Sequence, residues 1–301
     1  MSSALDTLRD LLTHLIDPWL FMSISARHIP STVANLVASR QWGTLLIPWR
    51  FTDALFGNFW ATIGPQVKTS AEQRVVPLLE GRVRDGVVQD HVVGPPVSGT
   101  VIEVGAGSGM WADVFAKIVR DGSEEDGDGG VRRRGGGKPG LTKIYGVEPN
   151  PQSAAALRRR VKDVGLDGIY EVVPVGIESL SDPHAWSGKT LEPGSIDCVV
   201  SIMCLCSIPD QADNIKALYK LLKPGGRWYV YEHVKVERGG ILLSIYQRKS
   251  THPRVPCLLL LKSPVCVNRN CECRLVHLHG LVPHVQIDGQ EFAQCRALVR
   301  D

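Results

Sequence analysis

Residues 101–109 read Val-Ile-Glu-Val-Gly-Ala-Gly-Ser-Gly, and this run decides the architecture. Its apolar first half predicts a buried strand, and its alternating glycines let the backbone bend sharply and approach a ligand with no Cβ in the way. Residues 110 to about 120 read as the helix that follows, its N-terminus presented to the same bend. Such a strand, turn and helix suit a nucleotide-like cofactor, although a glycine bend alone is also how many parallel strands meet their helices. The remainder of the chain separates the two readings.

A chain of 301 residues with 44% hydrophobic content buries one large core or two small ones. Basic and acidic residues nearly balance at 34 and 31, and no helix carries a basic stripe, so a dedicated nucleic-acid binder is not expected. The eight cysteines lie partly in and just after an apolar strand, which favours buried reduced thiols and hence a cytoplasmic location. No run reaches the roughly 18 uncharged apolar residues of a spanning helix. The nearest approach, residues 11–16 and 18–26 on either side of Asp17, suits a helix lying on a membrane surface or one packing on the protein itself. A cleavable signal peptide is not expected, because Asp6 precedes the first basic residue, Arg9, and no small-residue cleavage site follows.

Residues 1–93 form an N-terminal helical extension, helical in pattern from Ala4 to Val83 and punctuated by Pro18, Pro30, Pro48 and Pro65. Trp19, Trp42, Trp49 and Trp60 concentrate there, either as core or as a lid over an apolar substrate pocket. Residues 94–247 alternate strands with helices, the pattern of a parallel sheet covered on both faces. The expected strands are 100–104, 144–147, 170–175, Ile196–Ile202 and 227–231. Asn150 followed by Pro151 reads as an N-cap with proline at the first helical position, opening a helix to about Val164. Between the first helix and the second strand, residues 121–142 are glycine-rich with segregated charge, and read as a disordered insertion.

The choice of cofactor turns on Glu148, which follows Ile-Tyr-Gly-Val at the end of the second strand. A carboxylate there can accept from both hydroxyls of a ribose. Excising the insertion brings the interval from Gly105 to Glu148 to about 20 residues, the usual separation. The glycines at 105, 107 and 109 are spaced more tightly than a dinucleotide fingerprint, and Glu103 stands two residues ahead of them. An acid so close to the bend suits a cationic ligand better than a pyrophosphate.

Four segments in order carry a resemblance: the opening run, Gly-Val-Glu-Pro-Asn at 146–150, Ser-Ile-Asp-Cys-Val-Val-Ser at 195–201, and Leu-Lys-Pro-Gly-Gly at 222–226. Together they resemble the successive motifs of class I S-adenosylmethionine-dependent methyltransferases over about residues 98–247. The resemblance implies an α/β fold with a Rossmann-like, doubly wound, mostly parallel sheet, and S-adenosylmethionine as cofactor. It implies that Glu103, Gly105, Gly107 and Gly109, with Ala106 beside them, hold the amino-acid part of that cofactor, and that Glu148, next to Pro149, holds its ribose. By the same resemblance Gly176, Ile177 and Glu178 border the adenine, and Ser201, Ile202 and Met203 lie under the methionine moiety. Cys204-Leu205-Cys206-Ser207-Ile208 and Tyr231-Glu232-His233-Val234 look most like a methyltransferase-like subgroup that methylates small thiols and associates with endoplasmic reticulum or lipid droplets. That subgroup implies a small lipophilic acceptor and peripheral membrane contact through the N-terminal helices.

An in-line displacement at a sulfonium mainly needs an aligned acceptor in a dry site, and a thiol needs only modest help to ionise. His233 is the candidate proton acceptor, with a structural, backbone-bonded histidine as its alternative. The chain departs from the family after Gln247. Residues 248–301 form an atypical tail, of which 249–301 lack helical or strand periodicity, as an altered reading frame or retained intron would produce, and the sheet is expected to lack its last strands. Cys266, Cys271, Cys273, His277 and His279 lack the usual zinc-ligand spacing, so no metal is expected. Three functions remain: methylation of a small thiol, methylation of a lipid or quinone-type oxygen or carbon, and a catalytically impaired remnant that binds cofactor without turnover.

Overall fold

The computed structural model describes residues 23–24, 26–124 and 140–233, together with the backbone of short strands at 284–287, 290–294 and 298–299. The chain enters through α1 (Ile29–Ala38), α2 (Trp42–Leu46) and α3 (Pro48–Leu79), then folds a small hairpin from β1 (Val83–Arg84) and β2 (Val87–Val88). Pro30 sits in the first turn of α1 and Pro48 opens α3, both at positions that need no amide hydrogen. Pro65, expected to break the helix, lies inside α3 instead. Tertiary packing overrides the local signal: Ala54, Leu55 and Phe59 before it and Ala71, Val75 and Leu78 after it are all buried.

The alternating region gives β3 (Gly99–Val104), α4 (Ala112–Glu124), β4 (Leu141–Val147), α5 (Pro151–Asp163), β5 (Tyr170–Val173), β6 (Ile196–Ile202), α6 (Gln211–Leu221) and β7 (Leu222–His233). Parallel pairing runs β5-β4-β3-β6-β7, so β3 is central and the chain winds outward from it in both directions. This is the Rossmann-like doubly wound sheet expected from the sequence, with its switch point beside β3. The Asn150 side chain accepts from Gln152 N at 2.9 Å and Ser153 N at 3.1 Å, capping α5.

Side chains alternate across the sheet because successive Cβ atoms point to opposite faces. Val101, Ile144 and Val200 pack on one face under α3, α4 and α5, through Val75, Leu79, Phe115 and Leu157. Ile102, Val104, Val147 and Val199 face the other way, onto Leu218 and Leu221 of α6 and Trp186. α3 lies against β2, α5 and β7, so the N-terminal extension is packed onto the sheet domain.

Two sequence expectations are corrected. The insertion is narrower than 121–142: α4 continues to Glu124 and β4 begins at Leu141, while 125–139 lie outside the described residues. The tail does not leave the sheet unfinished. β8 (His284–Ile287) and β9 (Gln290–Gln294) form an antiparallel hairpin whose β9 pairs with β7, and β10 (Leu298–Val299) pairs with β7 as well. Backbone pairing needs no side-chain period when the partner edge is already in place, which is why the pattern gave no warning. Among the described residues no helix is long and apolar enough to cross a membrane, and no cluster of metal-ligating side chains occurs. The N-terminal surface-helix segment and the Cys/His group of the tail lie outside the described residues.

A chain ending at residue 283 would expose the outer edge of β7, and unpaired edges recruit other strands. It is expected to show a larger mean mass than the full chain at equal concentration in size-exclusion chromatography with light scattering; equal masses would contradict the pairing.

Candidate functional site

At the carboxyl ends of β3, β4 and β6 the sheet opens into a cavity of about 770 Å³. Its floor begins with the glycine bend. Gly105 has φ +62° and Gly107 φ +57°, the left-handed region that a side chain disfavours. A Cβ on Gly105 would lie 2.5 Å from the Cβ of Cys204, so the bend can sit this close to the end of β6 only with glycine there. Around Gly107 a Cβ would meet nothing nearer than the Gly105 carbonyl oxygen at 3.9 Å, which leaves bare backbone on the cavity wall.

Glu148 holds the bend in place. Its two carboxylate oxygens accept from Gly107 N and Asn150 N, each at 2.9 Å, and so join the turn after β3 to the start of α5. Burial raises its pKa while those two N–H groups oppose the rise. Each oxygen keeps further acceptor capacity on the cavity side, as a ribose diol would require.

Glu103 stands below the bend rather than on the wall. It is 2% exposed, and its Oε2 accepts from the Tyr170 hydroxyl, while its buried Oε1 has no partner. Tyr170 reaches from β5 to β3 across β4 at Gly146, where any Cβ would collide with the phenol ring. Burial pushes the Glu103 carboxyl up to about 7. The Tyr170 hydroxyl is raised well above its usual value by burial and by Glu103.

The opposite wall comes from α3. Phe56, Phe59 and Trp60 form an edge-to-face aromatic group, with ring centroids 5.6 Å apart for Phe59 and Trp60 and 6.0 Å for Phe56 and Trp60. Lys68 of α3 reaches Asp113 of α4 at 2.5 Å, tying the wall to the helix after the bend. Among the described residues of the cavity wall, the carboxylates are Asp53, Glu148 and Glu178 and the basic side chain is Arg50. That balance suits a cationic ligand and opposes a pyrophosphate.

The structure brings the expected cofactor residues together on this wall except Glu103, Gly109 and Ser201. Gly109 instead admits α5: a Cβ there would lie 2.9 Å from Arg160 Cγ. Ser201 is fully buried and accepts from Trp228 Nε1 at 3.0 Å, so it supports the sheet rather than the cavity. His233 ends β7, and its side chain lies outside the described residues. The apolar lid expected from the N-terminal aromatics reaches the wall through Trp60, while sequence reasoning did not single out Phe56 and Phe59 beside it or Cys204 as a wall residue.

A family model described as a methyltransferase domain matches residues 83–252, more than half of the chain. A thiol S-methyltransferase of Homo sapiens is 41% identical over 44 residues, 15% of this chain and 18% of that protein. A ubiquinone/menaquinone biosynthesis C-methyltransferase of Escherichia coli is 24% identical over 136 residues, 45% of this chain and 43% of that protein. The chain therefore spans under half the length of these curated relatives. The crystal structure of an arsenic(III) S-adenosylmethionine methyltransferase from Chlamydomonas reinhardtii is 22% identical, with a TM-score of 0.41, over 69% of this chain and 66% of that one.

The folded pKa of Glu103, about 7, lies above its ordinary 4.5, so its contribution to stability is full below about 4.5 and is lost as pH rises through about 7. Glu103→Gln removes this titration and keeps an acceptor for Tyr170. Urea unfolding between about pH 5 and pH 8 is expected to show a shallower fall in stability for the variant, by up to about 3 kcal/mol. Part of the slope should persist because Glu232 is also raised to about 7, by burial. Equal slopes would contradict a buried, titrating Glu103.

Proposed function

Because the chain belongs to the methyltransferase-domain family, we propose that it transfers a methyl group from S-adenosylmethionine to a small lipophilic acceptor, a thiol being the first candidate. The observation that carries this reading is the crevice itself, where Asp53, Glu148 and Glu178 outnumber Arg50 beside a bare glycine bend. When bound, the cofactor supplies a methyl already activated on a sulfonium, with an ammonium nearby and no phosphate. Glu148 and the 105–107 backbone would hold it, with Ile177 and Glu178 at the adenine end and Ile202 and Met203 at the methionine end. The chain's own work is then to align an acceptor and exclude water. Phe56, Phe59 and Trp60 offer an apolar wall for that acceptor. His233 remains the proposed proton acceptor for a thiol.

A lipid or quinone-type carbon or oxygen acceptor is the second reading, supported by the longer match to the C-methyltransferase. A binding-only remnant is the least supported reading, since β8, β9 and β10 supply the sheet edge that was expected to be missing. The proposal extends to a membrane surface as the source of the acceptor. Trp42, Leu46 and Trp49 are 52%, 77% and 67% exposed, next to Gln41, Thr44 and Arg50 at the cavity. Aromatic and basic side chains of this kind favour a lipid interface.

Incubation with methyl-labelled cofactor and a panel of thiols and phenols, read by product mass spectrometry, is expected to label a thiol as its methyl thioether. Label only on a phenol or ring carbon would select the second reading, and cofactor binding with no labelled product would defeat both. Glu148→Ala is expected to weaken cofactor binding by about 1–3 kcal/mol through loss of charge-assisted bonds; unchanged affinity in calorimetry would count against the site. Trp42→Ser with Trp49→Ser is expected to reduce cosedimentation with lipid vesicles, and wild-type protein that stays in the supernatant would sink the membrane proposal.

A further inference from the structure

Glu232 has no part in the site as described so far. It lies near the end of β7, is 5% exposed, and does not line the crevice. A carboxylate buried so deeply is costly unless its oxygens are occupied. They are: Cys204 N donates to Oε1 at 3.1 Å, Leu205 N reaches both oxygens at 3.2 Å, and the Cys204 thiol donates to Oε1 at 3.4 Å.

The residue before these two is strained. Met203 holds φ +52°, a conformation that a residue with a side chain seldom adopts and that surrounding structure must enforce. Its N–H donates to the Tyr231 carbonyl at 2.7 Å. Three successive N–H groups, at 203, 204 and 205, are thus taken up by two successive residues of β7. Met203 and Cys204 both line the crevice, and Cys204 is the residue whose Cβ closes on Gly105. The chain of contact runs from Glu232 to the turn, and from the turn to the glycine bend.

We propose that Glu232 is a positioning residue, which clamps the 203–205 turn against Gly105 and so fixes the crevice wall without touching cofactor or acceptor. The proposal rests on this crevice being the cofactor site. Without the carboxylate, two buried N–H groups lose their acceptor and the strained turn at Met203 relaxes. The wall then moves away from the bend, and a shift of about 1 Å is enough to cost a site of this kind most of its efficiency.

The test uses the full chain with Glu232→Ala and Glu232→Gln, titrated calorimetrically with S-adenosylhomocysteine. Site-resolved alkylation by iodoacetamide is followed by peptide mass spectrometry, with buried Cys198 of β6 as the internal reference for Cys204. Glu232→Ala is expected to bind about tenfold more weakly and to alkylate Cys204 about tenfold faster relative to Cys198, while Glu232→Gln, whose amide oxygen can still accept from both N–H groups, stays within about threefold of wild type. Unchanged affinity in Glu232→Ala would overturn the proposal, as would Cys198 opening in step with Cys204, which signals general loosening. If Glu232→Ala does not fold, Glu232→Asp decides: its shorter arm should give the same loss with wild-type thermal unfolding, and wild-type affinity overturns the clamp. A wild-type chain that releases no heat would count against the cofactor assignment, and the Cys204 alkylation ratio would still decide the clamp.

Discussion

Two backbone N–H groups, from Gly107 and Asn150, converge on Glu148 at 2.9 Å each, and the crevice keeps its shape because of that convergence. A glycine bend is flexible in isolation, since each glycine gives up more conformational freedom on ordering than any other residue. The carboxylate supplies the compensating bonds and fixes where the bend lies relative to α5. Cys204 then meets Gly105 from the β6 side, so the bend is confined between two neighbouring strands' ends. Without that confinement the acids on the wall would have no fixed geometry toward a ligand.

The parallel sheet was readable because its signals are local. β6 is apolar along almost its whole length, Asn150-Pro151 names the start of α5, and the switch from helical to strand period marks where the domain begins. Glu148 was readable because it directly follows the Ile-Tyr-Gly-Val run that ends β4, whereas its spacing became ordinary only by excising residues 121–124 and 141–142 as well, which belong to α4 and β4. The uninterrupted α3 was not, since a proline inside a helix is tolerated only when both flanks are anchored, and anchoring is a tertiary fact. The strands beyond β7 were missed for a related reason: edge pairing is decided by the partner's free backbone more than by the added segment's side chains.

The expected cofactor residues that do not line the crevice share one feature. Glu103, Gly109 and Ser201 each stand one layer beneath the wall, where they meet Tyr170, Arg160 and Trp228 respectively. A motif records that a residue type is needed near a ligand, without distinguishing contact from scaffolding. α3 presents the reverse case: its aromatic wall lies far from the glycine bend in sequence, and no spacing rule links them. That wall is the part of the crevice with the greatest latitude to define an acceptor, if the bend and Glu148 hold the cofactor as proposed.

The phenol of Tyr170 passes over position 146 to reach Glu103, and the passage is open only because position 146 carries hydrogen alone. Variation at these two places is therefore interlocked. A lineage that acquires a methyl at 146 must first give up the ring at 170, and one that gives up the ring strands an acid in the interior with neither oxygen satisfied. Three strands thus change as one unit or not at all, which makes this layer a slow-drifting keel beneath a crevice whose α3 side is at liberty to diversify.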